Sequence, residues 1–288
     1  MPAALVLIDK QPGWTSHDVV AKLRGILGTR KIGHAGTLDP MATGLLVLGV
    51  DGGTKLLQFI SGSDKQYLAT IRLGAATHTD DAEGDVIFSS SAKEVSEKQI
   101  DAEIAKLTGA ITQVPSSVSA IKVDGKRAYD LVRDGKEVEL KGRAVTVSRF
   151  ERTSDIRFVD DYLDFDVVVD CSSGTYIRAL ARDIGSALGV GGHLTMLRRT
   201  RIDNFDVSDA TEIDKAPNLL LLVQAAKALF DSTQLTYDQA RDIVHGKRIT
   251  LSASGLIAAT WNAELLAVLE PVGSQLKSVV VFPEVFNA

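Results

Sequence analysis

The chain of 288 residues contains a single cysteine, Cys171, so it forms no internal disulfide. A lone thiol fits a reducing compartment. Cys171 ends an alternating apolar run, Leu163, Phe165, Val167 and Val169, and reads as a small buried hydrophobe rather than a nucleophile. No group of Cys and His residues has metal-ligand spacing. No window approaches the ~20 consecutive apolar residues of a membrane span. The apolar run at residues 3–8 is too short, and lacks the basic flank, for a signal peptide. These absences point to a soluble, cytoplasmic protein with no membrane partner. Internal repeats, low-complexity tracts and cofactor-binding motifs are also missing. What is present is a globular composition, 45% hydrophobic and 24% charged. A chain of this length buries a substantial core without disulfide or metal staples, as one large domain or two ordinary ones.

The formal net charge of −5 argues at face value against a polyanionic partner, but its distribution is uneven. Residues 110–152 hold nine basic and six acidic side chains, and residues 172–202 hold five and one. The acidic excess sits in 76–106, 153–171 and 203–240, each with a net −5. Such asymmetry is compatible with a basic groove on an otherwise acidic surface.

Apolar periodicity predicts strands at 5–8, 45–50, 66–73 and 163–171. A helix capped by Ser16 follows the first strand, with Val19, Val20, Leu23, Ile26 and Leu27 on its inner face. Residues 96–107 read as a second helix, and Thr175 is placed to cap a third over Ile177, Leu180, Ala181, Ile184 and Leu188. Strands and helices mix without a regular βαβ rhythm, so the expected class is α+β. Residues 122–152 are charged and have few large apolar side chains, and are expected to form a long mobile insertion. From about residue 230 a short helix and several short strands suggest a small β-rich C-terminal domain.

The stretch with most chemical content is Gly33-His34-Ala35-Gly36-Thr37-Leu38-Asp39-Pro40-Met41-Ala42-Thr43-Gly44. Its three glycines let the backbone approach a ligand, and Pro40 biases Asp39 away from the helical region. Read alone, Asp39-Pro40 is first of all a helix start, with Asp as cap and Pro at the first position.

The longer pattern resembles the catalytic loop of the TruB family of pseudouridine synthases. Further segments resemble that family in order: Asp9-Lys10 with Pro12-Gly13-Trp14-Thr15-Ser16; Asp64-Lys65-Gln66-Tyr67; Leu73-Gly74 with Thr77, Thr79, Asp80 and Gly84; Ser119-Ala120-Ile121-Lys122 with Gly125-Lys126-Arg127-Ala128-Tyr129; Ser173-Gly174-Thr175-Tyr176-Ile177-Arg178; and Gly192-His193-Leu194 with Leu197-Arg198-Arg199. The chain departs from the pattern at Ala35 and Thr37, and at residues 115–118, where Pro-Ser-Ser-Val replaces the usual two prolines and an aromatic. The C-terminal part resembles a PUA-like RNA-binding module loosely, through the Gln239-Ala240 helix, Gly246 and the strands after it.

The resemblance, which spans roughly residues 5–215, implies a mostly antiparallel mixed sheet with flanking helices over 1–225 and a PUA-like domain over 226–288. It implies isomerisation of uridine 55 in the T loop of tRNA. The C1′–N1 bond breaks, the base rotates and a C1′–C5 bond forms, without redox change and so with no cofactor. The base must first leave its stack, at a cost of a few kcal/mol. The resemblance makes Asp39 the nucleophile and Arg178 the guanidinium that keeps it ionised against the effect of burial. Tyr67 would stack beside the reacting base, Tyr176 and Leu197 would line the uracil pocket, and His34 would stand near the flipped-out nucleotide. The implied partner is the tRNA T stem-loop, bound by a monomer with no obligate protein partner. The 122–152 segment would close over it. Two other readings share these motifs: a non-catalytic tRNA-binding or folding protein, and a guide-RNA-dependent synthase resembling dyskerin.

Overall fold

The computed structural model describes residues 3–116, 122–123, 126–127 and 140–286. The chain divides into two compact units. One contains Met1–Asp39, Leu45–Ser61 and Asp203–Ala288, the other Pro40–Gly44 and Gly62–Ile202. Among the described residues no helix is long and apolar enough to cross a membrane.

In the first unit the strand Ala4–Lys10 pairs in parallel with Thr211–Glu212 and antiparallel with Leu219–Leu221. Ile32–His34 runs antiparallel to the later part of the strand Thr43–Val50, with His34 opposite Leu48. The helix Ser16–Leu27 lays Val19, Val20 and Leu23 on Val6, Ile8, Leu46, Leu48 and Val50. Its N-cap is Thr15, one residue before the predicted Ser16. The Thr15 hydroxyl accepts from the Asp18 amide and the Asp18 carboxylate accepts from the Thr15 amide, a reciprocal capping box.

The same unit holds a second core. The strands Asp231–Gln234, Ile257–Trp261, Glu264–Val272 and Gln275–Val281 form a four-stranded sheet in that order. Its first pair is parallel and the others antiparallel. The helix Tyr237–Val244 covers it with Ala240 and Ile243. This is the small β-rich C-terminal domain expected from the sequence. It is tied to residues 51–61 by Lys55, whose ammonium donates to the Val281 carbonyl at 2.7 Å, and by the edge-to-face pair Phe59–Phe230.

The second unit is an antiparallel sheet. Its order is Gly109–Gln113, Arg143–Arg152, Tyr162–Cys171, Lys65–Leu73, Gly192–Ile202, and it continues in parallel to Thr43 and Gly44. Gly44 adopts φ 98°, and a Cβ there would collide with the Arg199 carbonyl, so the crossing of these two strands demands glycine. The helix Ile177–Ala187 packs on Gly192–Ile202, where Gly185 and Gly192 meet backbone to backbone. The helix Glu97–Lys106, with Ser96 as its N-cap, packs beside Arg143–Arg152.

The insertion expected over 122–152 ends earlier than that. Residues 143–152 form a full strand of the sheet, with Val145, Val147 and Phe150 buried. A bulge between Val147 and Arg149 shifts the phase of the strand and returns Phe150 to the core, which breaks the simple alternation. Most of the remaining segment, including Tyr129 and Leu131, lies outside the described residues.

Candidate active site

The loop around Asp39 belongs to the first unit up to Asp39 itself. Ala35 donates its amide to the Val47 carbonyl at 2.9 Å. Leu38 is held at both backbone groups by one hydroxyl: Ser16 Oγ accepts from the Leu38 amide at 2.9 Å and donates to the Leu38 carbonyl at 3.1 Å. Residues 39–42 form no helix, so Asp39 is not a helix cap and the alternative reading of Asp39-Pro40 falls away. His34 ends its short strand and meets His17 edge-on, with ring centroids 5.7 Å apart.

The second unit carries Tyr67, Tyr176, Arg178 and Leu197. Tyr67 is buried on the strand Lys65–Leu73, opposite Val169 on one side and Arg199 on the other. Leu197 stands opposite Ala69, two residues along from Tyr67, so Tyr67 and Leu197 share a sheet face as diagonal neighbours. Tyr176 is the N-cap of the helix Ile177–Ala187, a place the sequence gives to Thr175. The Thr175 hydroxyl turns back instead to the Ser172 carbonyl. The cap comes from Gln113, whose side-chain amide donates to the Tyr176 carbonyl at 3.0 Å and accepts from the Tyr176 amide at 2.8 Å.

Arg178 is in the first turn of that helix and only 5% exposed, so it is not a surface arginine. Its guanidinium donates to the Thr79 carbonyl at 2.7 Å and pairs with the Asp81 carboxylate at 3.4 Å. Asp81 is itself fixed by the Thr79 hydroxyl and the Glu83 amide, and its carbonyl by the Thr77 hydroxyl. A cation in the first turn opposes the helix dipole, and this buried turn of Thr77, Thr79 and Asp81 compensates it.

Residues 24–177 match the family profile described as TruB family pseudouridylate synthase (N terminal domain). The profiles described as tRNA pseudouridylate synthase B C-terminal domain and tRNA Pseudouridine synthase II, C terminal match residues 178–237 and 230–283. The chain belongs to the TruB family of pseudouridylate synthases. A tRNA pseudouridine synthase B of Leifsonia xyli subsp. xyli is 52% identical over 293 residues, covering 98% of this chain and 97% of that protein. One of Mycobacterium ulcerans is 51% identical over 283 residues, covering 96% and 94%. Among solved structures, the archaeal box H/ACA sRNP Nop10-Cbf5 complex matches with TM-score 0.67 at 25% identity, covering 98% of this chain and 86% of that one. A Cbf5-Nop10-Gar1 complex matches with TM-score 0.69 at 24% identity, with the same coverage. The α+β fold with a C-terminal domain is therefore that of these synthases.

Two residues of this TruB-family chain that hold Tyr176 and Arg178 were not assigned roles from sequence. Gln113 and Asp81 are each 2% exposed. A buried polar side chain needs a partner, but theirs lie 63 and 97 positions away along the chain, beyond any local spacing signal. The cation count of 172–202 also reads differently in three dimensions. Arg178 and Arg199 are buried, and Arg182 and Arg201 are paired with Asp80, Asp183 and Asp170. Much of that positive charge is thus engaged inside the protein. In residues 140–152, Lys141 and Arg143 are exposed, whereas Arg149 pairs with Glu151 and Arg152 with Glu97 and Asp101.

Proposed function

We propose that this protein isomerises uridine 55 in the T loop of tRNA to pseudouridine, by base flipping and with Asp39 as the nucleophilic carboxylate. The observation that carries the reading is the near-full-length identity of about half to proteins named tRNA pseudouridine synthase B, in a chain that retains the Leu-Asp-Pro loop, Tyr67 and Arg178. Asp39 attacks the sugar carbon or C6 of uracil, the glycosidic bond breaks, and the base turns so that C5 faces C1′. The new C–C bond forms, the bond to Asp39 breaks and frees its carboxylate, the C5 proton leaves, and N1 gains a proton, so the atoms balance without a cofactor. Arg178 is the fixed cation of this reading, held by the Thr79 carbonyl and the Asp81 carboxylate. Tyr67, Tyr176, Leu197 and His34 hold the extruded nucleotide in place of its lost stacking partners. The protein acts as a monomer on the T stem-loop, in the cytoplasm, without a guide or a protein partner.

Release of tritium from C5-labelled uridine in an unmodified T-arm hairpin, with no other component, tests this. Stoichiometric release with pseudouridine in the product is the expected result. Tight binding without release points to a non-catalytic tRNA-folding protein. Release only with added guide RNA points to a dyskerin-like enzyme.

A further inference from the structure

A second buried polar cluster lies beside the Arg178 turn, within the same unit. Asp80 is 8% exposed and adopts φ 60°, a left-handed conformation that Asp tolerates better than most residues. Its carbonyl accepts from the Leu194 amide at 3.1 Å, which fixes the turn to the strand Gly192–Ile202. One carboxylate oxygen, Oδ2, takes two donors. The hydroxyl of Ser116, fully buried, donates at 2.6 Å, and Arg182 Nη1 donates at 3.3 Å. Arg182 in turn donates to the Val114 carbonyl at 2.7 Å and, through Nε and Nη2, to Asp183 Oδ1 at 2.9 and 2.8 Å. Burial pushes the Asp183 carboxyl up and Arg182 opposes that shift, so the guanidinium balances two carboxylates.

Three clasps, two of them joined through the Arg182–Asp80 contact, therefore hold residues 113–116 to the elements that place Arg178. Gln113 grips the helix cap at Tyr176. Arg182, one turn further along the same helix, grips Val114. Asp80 grips Ser116 from the residue directly after Thr79, whose carbonyl receives Arg178. We infer that Asp80 is a positioning residue for the reaction: with Ser116 and Arg182 it forms a latch that makes the 113–116 segment and the Arg178-bearing turn one rigid assembly. The latch acts through the backbone at Thr79 and touches no substrate. Loss of it lets the acceptor of Arg178 shift by fractions of an ångström, which reactions dependent on aligned groups register strongly. This function for the latch rests on the proposed role of Arg178.

A double-mutant cycle on the purified chain tests the inference, with Asp80→Gly, Ser116→Ala and the pair together. Glycine suits the left-handed backbone, so the first variant removes the carboxylate without adding strain. On the T-arm hairpin each single variant is expected to lower kcat by about tenfold, with KM changed less than about twofold, and the double variant to be no worse than Asp80→Gly, the non-additivity of residues in one network. Asp80→Asn, which keeps the shape and an amide oxygen, should recover most of the rate. Amide hydrogen exchange of the free protein should show residues 110–116 and 177–183 losing protection together in either single variant. Single effects that multiply, a kcat for Asp80→Gly within about twofold of wild type, or loosening of only one of the two segments overturns the latch. If the wild-type chain shows no turnover, it is the functional proposal that fails. The exchange pattern then judges the latch alone: joint loss of protection supports it, and loss in one segment rejects it.

Discussion

Arg178 and Asp81 form an ion pair at 3.4 Å with only 6% and 3% of their side chains exposed. Removing both charges from water is costly, so such a pair persists where other hydrogen bonds help it. Here the Thr79 carbonyl takes the guanidinium, and the Thr79 hydroxyl and Glu83 amide take the carboxylate. The arginine is thus aimed by a turn rather than left as a mobile surface cation. Arg178→Lys should lower kcat on a T-arm hairpin at least about a hundredfold, because a point charge cannot reproduce the planar fork. Steady-state kinetics beside a thermal melt would check this. Near-normal kcat would reduce Arg178 to a generic positive charge.

Asp39→Asn keeps the shape of the side chain and removes its charge and nucleophilicity. Turnover should be abolished while tRNA affinity stays within about tenfold, or roughly 1.4 kcal/mol. Filter binding together with tritium release would separate the two quantities. Residual turnover near wild type would remove Asp39 from the nucleophile's role.

Cys171 is buried, and burial pushes its thiol up to about 11 from an ordinary 9.0. At pH 8 only about one thiol in a thousand is ionised in the folded protein. Iodoacetamide should therefore label native protein far more slowly than urea-unfolded protein, and labelling should not track activity. The linkage has a definite sign. The folded thiol keeps its proton where the unfolded one loses it, so its contribution to stability is complete below pH 9.0 and declines as pH rises towards 11. Cys171→Ala should show a shallower loss of stability over that window in urea titrations. Equal slopes would mean that the thiol does not titrate in it.

Affinity for tRNA should fall with salt, by about one log–log unit per phosphate contact. The structure narrows which cations contribute. Replacing exposed Lys141 or Arg143 by Gln should lower the slope by about one unit each. Replacing Arg152, already bound to Glu97 and Asp101, should leave it unchanged. A flat salt response in the wild-type protein would remove the basic groove altogether.

The strands 66–73 and 163–171 were legible because every second residue, Tyr67, Ala69, Ile71 and Leu73 in one and Leu163, Phe165, Val167, Val169 and Cys171 in the other, is apolar and buried, and the two pair residue for residue, Leu163 with Leu73 through Cys171 with Lys65. The strand Arg143–Arg152 was hidden by its bulge, which places Phe150 out of step with Val145 and Val147. Caps were legible to within one residue. Thr15 and Ser16 are chemically alike, and the choice between them depends on a distant partner, since Ser16 is taken by Leu38. At Tyr176 the cap is a glutamine from another strand, which no helix-start pattern contains. The loop that carries Asp39 could be recognised as a motif, but its freedom from helix could not be read from Asp39-Pro40 alone.

The double hydrogen bond between Ser16 and Leu38 gives the Asp39 loop something that usually requires a neighbouring strand. One hydroxyl satisfies both the donor and the acceptor of a single residue, as a ladder partner would. The side chain comes from the first turn of a helix whose own cap is supplied separately by Thr15. The residue before the carboxylate is consequently set when that helix docks on its sheet. Ordering of Leu38 then belongs to the folding of the chain, and an arriving RNA meets a loop whose conformational entropy there has already been lost.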